Sequence, residues 1–173
     1  LQRAVLAELG HSEDQVREVG GALAILRGSG QGAFMPYFFT AMAEIQSKTG
    51  QADEALIALD EAIEISAKRG ERFCDAEIYR LKGEMTLQLG GEHRASTVQR
   101  EAETCFEQAL EIAKEQSAKS WELRAATSLA RLWQKQGKQI EAHALLSDIY
   151  DWFTEGFETK DLQDAKALLE ELG

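Results

Sequence analysis

Apolar residues recur at steps of three and four along most of the chain, the spacing that lines one face of a helix. Between Glu71 and Leu89 the stripe is Cys74, Ile78, Leu81, Met85 and Leu89. From Glu101 to Tyr150 the small residues Ala102, Ala109, Ala126 and Ala142 share their faces with the bulky Phe106, Leu110, Leu129 and Trp133. Small side chains let two helix backbones approach and the large ones fill the remaining space, so this stretch reads as helix, tight turn, helix, tight turn, helix. No run of alternating β-branched residues suggests a strand, and the pattern predicts an all-α chain.

Glycine sets the period. Gly10, Gly50 and Gly90 stand 40 residues apart and Gly137 follows 47 after the last, while Gly30 and Gly70 repeat the 40-residue step. Glycine suits the position just past a helix, where a left-handed backbone is needed. Each period is therefore expected to be a pair of helices with two stops, and the extra seven residues an insertion at 90–97, expected to protrude as a longer loop.

Taken in order, Leu1 to Leu9 reads as the end of a first helix, and Ser12 with Gln15 as a capping box for a second that runs to about Arg27. The Gly28 to Gly32 segment reads as a flexible connection. Helices are expected over Phe34–Lys48 (Pro36 tolerated in its first turn), Asp53–Lys68, Glu71–Leu89, from a Ser96/Gln99 capping box to Glu115, Lys119–Lys135, and Ile140 to about Phe153. Asp161 is expected to cap a last helix, Leu162–Leu172, whose single apolar face suits the end of an array. Tyr150, Trp152, Phe153 and Phe157 read as the apolar glue beneath it. One domain thus covers 1–173, in units of about 1–30, 31–70, 71–116 and 117–157 with a cap at 158–173.

Charge and composition narrow the partners. Nineteen basic against thirty acidic side chains give a net charge of -11, which repels nucleic-acid phosphates and anionic lipid, so neither nucleic acid nor a membrane is expected as partner. Cys74 and Cys105 sit at apolar helical positions outside any C-x-x-C pattern and read as reduced core residues, which points to the cytoplasm. No stretch resembles a membrane span or signal peptide. The chain opens at Leu1, inside a helical pattern, and reads as part of a longer polypeptide.

The phrase Ala125 to Gly137, followed by Glu141 and Ala142 and by the bulky Leu146, resembles the tetratricopeptide repeat; Gly50, Ala55, Leu59 and Ala62 fit the same pattern, as do Gly83, Ala102, Phe106 and Ala109. The resemblance implies a right-handed α-α superhelix of about four helix pairs plus a C-terminal capping helix, although the 40-residue period exceeds the family's usual 34 residues. A narrower likeness covers roughly Arg72 to Leu172. RFCDAEIYRLKGEMTL, the stretch from Glu101 to Lys138, and IYDWFTEGFETKDLQDAKALLEEL resemble the C-terminal region of bacterial signalling proteins that join a class III adenylyl or guanylyl cyclase domain to an AAA-type or STAND-type ATPase and then to tetratricopeptide repeats. It implies that the chain is such a repeat tail. Neither metal-binding cyclase aspartates nor a G-x-x-x-x-G-K-[ST] loop is present, so no activity carries over.

No catalytic constellation stands out. His11, His93 and His143 fall in three different units, the Gly28–Gly32 segment lacks a following Lys-Ser/Thr, and no cofactor or metal is expected. The informative signal is a column across first helices: Tyr37, Glu77 and Arg124 correspond by the period, then Thr40, Arg80 and Thr127, then Glu44, Glu84 and Arg131, then Lys48, Gln88 and Lys135. Within each helix these positions lie three or four apart and share one face. In tetratricopeptide arrays the first helix of each pair lines the concave groove, which makes this face the candidate partner surface, with Arg124 and Arg131 its expected anchors. Plain solvation of a polar helix face accounts for the pattern equally well. The expected function is a non-enzymatic protein-interaction and regulatory module that holds a protein or peptide, in cis or in trans. A ligand- or peptide-sensing domain of a transcriptional regulator and an oligomerisation scaffold are the alternatives.

Overall fold

The computed structural model describes residues 19–21, 25, 35–48, 50–90 and 95–173. The expectations placed on Leu1–Leu9, the Ser12/Gln15 cap, Gly28–Gly32, His11 and His93 fall outside them; of the helix expected from Ser12 to Arg27 only residues 19–21 and 25 are described, and these are helical. Among the described residues every regular element is helical: α1 Met35–Lys48, α2 Ala52–Arg69, a 3-10 turn Arg72–Cys74, α3 Asp75–Leu89, α4 Ala95–Glu115, α5 Lys119–Lys135, α6 Gln139–Tyr150 and α7 Lys160–Leu172. Each helix packs on the next in sequence, and the odd-numbered helices also touch in succession, α1 with α3, α3 with α5 and α5 with α7.

The turns follow from backbone chemistry. Gly50, Gly70 and Gly137 all take the left-handed conformation, at φ 77°, 71° and 79°. That geometry lets the helix-end carbonyls find donors, as where Gly70 N–H reaches Ser66 O at 2.8 Å and Lys138 N–H reaches Trp133 O at 2.9 Å. Ser117, at φ 54°, makes the same kind of turn between α4 and α5 without glycine. Gly90 departs from expectation: its backbone is extended, at φ -70° and ψ 107°.

Several boundaries are corrected. Helix α4 begins at Ala95, so Ser96 lies inside the helix instead of capping it, and part of the extra sequence lengthens this 21-residue helix. Thr159 precedes α7, and Asp161 sits in its first turn, where an acidic group faces the positive helix end. Helix α6 stops at Tyr150, short of Phe153, and α3 is preceded by a 3-10 turn.

Among the described residues, two cores and a small joint hold the helices. Met35, Phe39, Leu59, Ile78 and Met85 centre the first, among α1, α2 and α3. Phe106, Leu123, Leu129, Leu146 and Leu168 centre the second, among α4 to α7. Ala76, Ile112 and Ala113 form the joint, bridged by Tyr79 and Trp121. Gly83 lies directly against the ring of Phe106, leaving no room for a side chain on α3 where α4 crosses it. Of the aromatic group before α7, Tyr150 and Phe153 pack on the second core. Trp152 and Phe157 instead remain 58% and 46% exposed, so the glue expected there involves half of the group. Cys74 and Cys105 are both free thiols, but only Cys74 is a core residue: Cys105 is half-buried, which corrects the core position expected of it. Burial pushes the Cys74 thiol up to about 12, with Asp75 adding to the effect. No helix among the described residues is long and apolar enough to cross a membrane.

Candidate functional site

The column of first-helix positions folds into a continuous seam on α1, α3 and α5, and α7 joins it. The core of the seam is a network of charges. Arg80 grips Glu77 with two parallel bonds, Nε to Oε2 and Nη2 to Oε1, both 2.9 Å, and pairs through Nη1 with Glu84. Ser128 donates to Glu84 Oε1 at 3.0 Å and receives a 3.5 Å contact from Arg80 Nη1, which ties α5 to α3. Arg124 reaches Glu77 Oε1 at 2.8 Å, Glu44 Oε1 at 3.5 Å and Asp161 Oδ1 at 4.0 Å. One guanidinium on α5 thereby contacts carboxylates on α1, α3 and α7.

This network exists because helical spacing and the 40-residue step act together. Glu77, Arg80 and Glu84 sit at i, i+3 and i+7 on α3, so a single stripe carries an acid, a base and an acid. Side-by-side packing of α1, α3 and α5 then brings Glu44 and Arg124 beside it. Glu77 and Arg80 are buried, with side chains 3% and 8% exposed, where an unpaired charge is costly and a paired, hydrogen-bonded one is tolerated. Burial opposes the Arg80 charge, but Glu77 and Glu84 outweigh it and hold the guanidinium pKa above its ordinary value. Burial also raises the Tyr37 phenol, with nearby Glu44 adding to the shift.

The remaining seam positions divide by role. Thr40 and Thr127 are buried, and their hydroxyls donate at 2.7 Å to the carbonyls of Tyr37 and Leu123 in their own helices. Tyr37 is half-buried and stacks edge-on against Phe38 at 5.9 Å. Gln88 is exposed and donates to Ser47 Oγ at 2.9 Å, linking α3 to α1. Lys48 is the last residue of α1; its side chain lies outside the described residues. Arg131 and Lys135 are exposed on the C-terminal half of α5 and make no ion pair among the described residues. Of the two anchors expected from the sequence, Arg124 is thus already bound by three carboxylates, and Arg131 faces solvent.

Two network members, Ser128 and Asp161, are not evident from the sequence. Ser128 follows the column residue Thr127, and its offset by one position is the available signal; Asp161 reads as a cap, and only packing of α7 on α5 gives it a second role. No cluster of three or more His, Cys, Asp or Glu among the described residues is arranged to hold a metal.

On the other side of α5 lies a second feature. Leu110, Leu129, Trp133 and Leu145 floor a trough of about 490 Å³ walled by Glu107, Glu111 and Glu115 of α4. Trp133 is fixed at its edge: its indole N–H donates to Glu103 Oε1 at 2.6 Å, and Lys138 Nζ reaches the same carboxylate at 3.1 Å. Burial raises the Glu103 pKa, but the hydrogen bonds from Trp133, Lys138 and Gln136 lower it further, and the net shift is downward.

The chain matches no protein-family model and no curated protein.

Proposed function

We propose that the chain is a non-catalytic protein-interaction and regulatory module, a tetratricopeptide-like right-handed superhelix forming the C-terminal tail of a bacterial cyclase/ATPase signalling protein. The observation that carries this reading is the division of the seam: a self-paired charged floor, and beyond it Arg131 and Lys135, exposed and without ion pairs among the described residues, one turn apart on α5. The floor fixes the register of α1, α3, α5 and α7, and the two cations remain to meet a partner. A carboxylate-bearing peptide or neighbouring domain fits them, with Arg131 able to hold a carboxylate by two parallel bonds. Regulation follows if the neighbour presents that acidic segment in only one of its nucleotide states, because a difference in affinity between states shifts their populations.

The test compares the wild-type chain with the double variant Arg131→Glu/Lys135→Glu in retaining the remaining domains of the parent protein. Both residues are exposed, so the melting temperature should stay the same while retention falls at least tenfold. Equal retention by the two chains overturns the reading. A second reading, an oligomerisation scaffold, draws on the exposed Trp152 and Phe157. Light scattering over a concentration series decides it, since a constant monomer mass removes it.

A further inference from the structure

We propose that the trough formed by α4, α5 and α6 is a docking site for a basic amphipathic helix of a protein partner, separate from the polar seam. Leu129 and Trp133 lie about half a turn around α5 from Arg124 and Arg131, so the two surfaces face opposite ways. Helices α4 and α6 each pack closely on α5 without packing closely on one another. The gap between them leaves Trp133 and Leu145 partly exposed over the buried Leu110 and Leu129.

The rims define the occupant. Glu107, Glu111 and Glu115 follow one another at steps of four along α4, an acidic row that rises about 12 Å and turns gradually around the helix. On α6, Glu141 and Asp148 stand four before and three after Leu145, on the same face, and both are exposed. Glu107, Glu111, Glu141 and Asp148 make no ion pair among the described residues. Lys114 is the one cation among the described residues lining the trough. An apolar floor between acidic rims complements a helix whose leucine-type side chains recur at i, i+3, i+4 and i+7 and whose flanks carry lysine or arginine. The chain's overall charge of -11 would speed the encounter. Helix α2 of a second copy, which exposes Ile57, is a poor match: Asp53, Glu54, Asp60 and Glu64 flank that residue and would set acid against acid.

The probes are a fluorescein-labelled peptide of about 18 residues built from leucine and lysine in that helical pattern, the same composition with the leucines scrambled, and a leucine/glutamate analogue. Fluorescence anisotropy reads affinity, and the Trp133 indole N–H resonance reports the place of binding. The patterned leucine/lysine peptide should bind the wild-type chain, shift the Trp133 signal and bind Glu107→Lys/Glu111→Lys at least tenfold more weakly. That variant should in turn favour the leucine/glutamate peptide relative to wild type. Arg131→Glu/Lys135→Glu, on the opposite face, should bind the leucine/lysine peptide at least as well as wild type, so failure here and failure of the seam are distinguishable. Equal affinity for wild type and Glu107→Lys/Glu111→Lys overturns the proposal. So does equal binding of the scrambled peptide, which would mean attraction of any polycation, or an unmoved Trp133 resonance.

Discussion

Replacing Gly83 with alanine probes the crossing of α3 and α4, on which the seam and the trough both depend. A Cβ at Gly83 would stand 2.5 Å from Cε1, 2.8 Å from Cδ1 and 2.9 Å from Cζ of Phe106. The ring is completely buried, so it has no solvent side to retreat to. Alanine improves helix propensity by about 1 kcal/mol. Overpacking a filled core costs about 1–3 kcal/mol, and contact with three ring atoms at once places this site near the upper end. The difference is a net loss of about 2 kcal/mol, which for a chain of this size lowers the melting temperature by about 4–8 °C. Circular dichroism melts of wild type, Gly83→Ala, Phe106→Leu and the double variant measure it. The smaller leucine should cost stability alone and less, or nothing, in the Gly83→Ala background, a coupling of about 1 kcal/mol or more. A Gly83→Ala chain that melts at or above wild type would show that propensity alone governs the position and that the close approach is not there.

Three further outcomes are expected. Arg124→Ala removes the guanidinium shared by Glu44, Glu77 and Asp161, but Glu77 keeps Arg80; the loss should be about 2–3 kcal/mol, below that of a buried charge left wholly alone, while the exposed Arg131→Ala stays within about 0.5 kcal/mol. Urea titrations compare the two, and equal effects contradict the network. Because the Glu103 pKa is lowered on folding, its contribution is present above the ordinary glutamate value and is lost as pH falls through the lowered folded value. Glu103→Gln should therefore be less stable than wild type at neutral pH, with the gap closing in acid, and melts from pH 7 to about pH 3 follow it. Cys74, with its pKa pushed up to about 12, should react with iodoacetamide at about pH 8 only as fast as the chain unfolds, and rapid labelling of the native chain contradicts its burial.

The helices are legible in the sequence because their apolar stripes are regular: α5 runs from Lys119 to Lys135 as its periodicity predicts. Gly50, Gly70 and Gly137 mark true turns, since a left-handed backbone favours glycine. Gly90 and Ser117 show the limit, because an extended turn needs no glycine and serine can adopt the left-handed conformation when the surrounding hydrogen bonds support it. The seam is half legible. Period and helical spacing align Glu44, Glu77, Arg80, Glu84 and Arg124 on one face, yet they do not say that Arg124 is held by its own chain, because pairing depends on how far apart neighbouring helices pack. The trough is hidden in the sequence although Glu103, Glu107, Glu111 and Glu115 stand four apart, since an acidic line gains meaning only from the apolar floor that Trp133 and Leu145 bring beside it.

The reach of Arg124 limits how such a chain can change length. Arrays whose layers meet only their immediate neighbours tolerate the gain or loss of a layer by duplication or deletion. Here a cation on α5 satisfies acids on helices both before and after its own. A helix pair spliced in between α3 and α5 would carry Arg124 away from Glu44 and Glu77, and would leave those acids with one cation fewer. Charge matching across helices thus acts as a register, favouring this order of α1, α3, α5 and α7 over versions with a helix pair added among them.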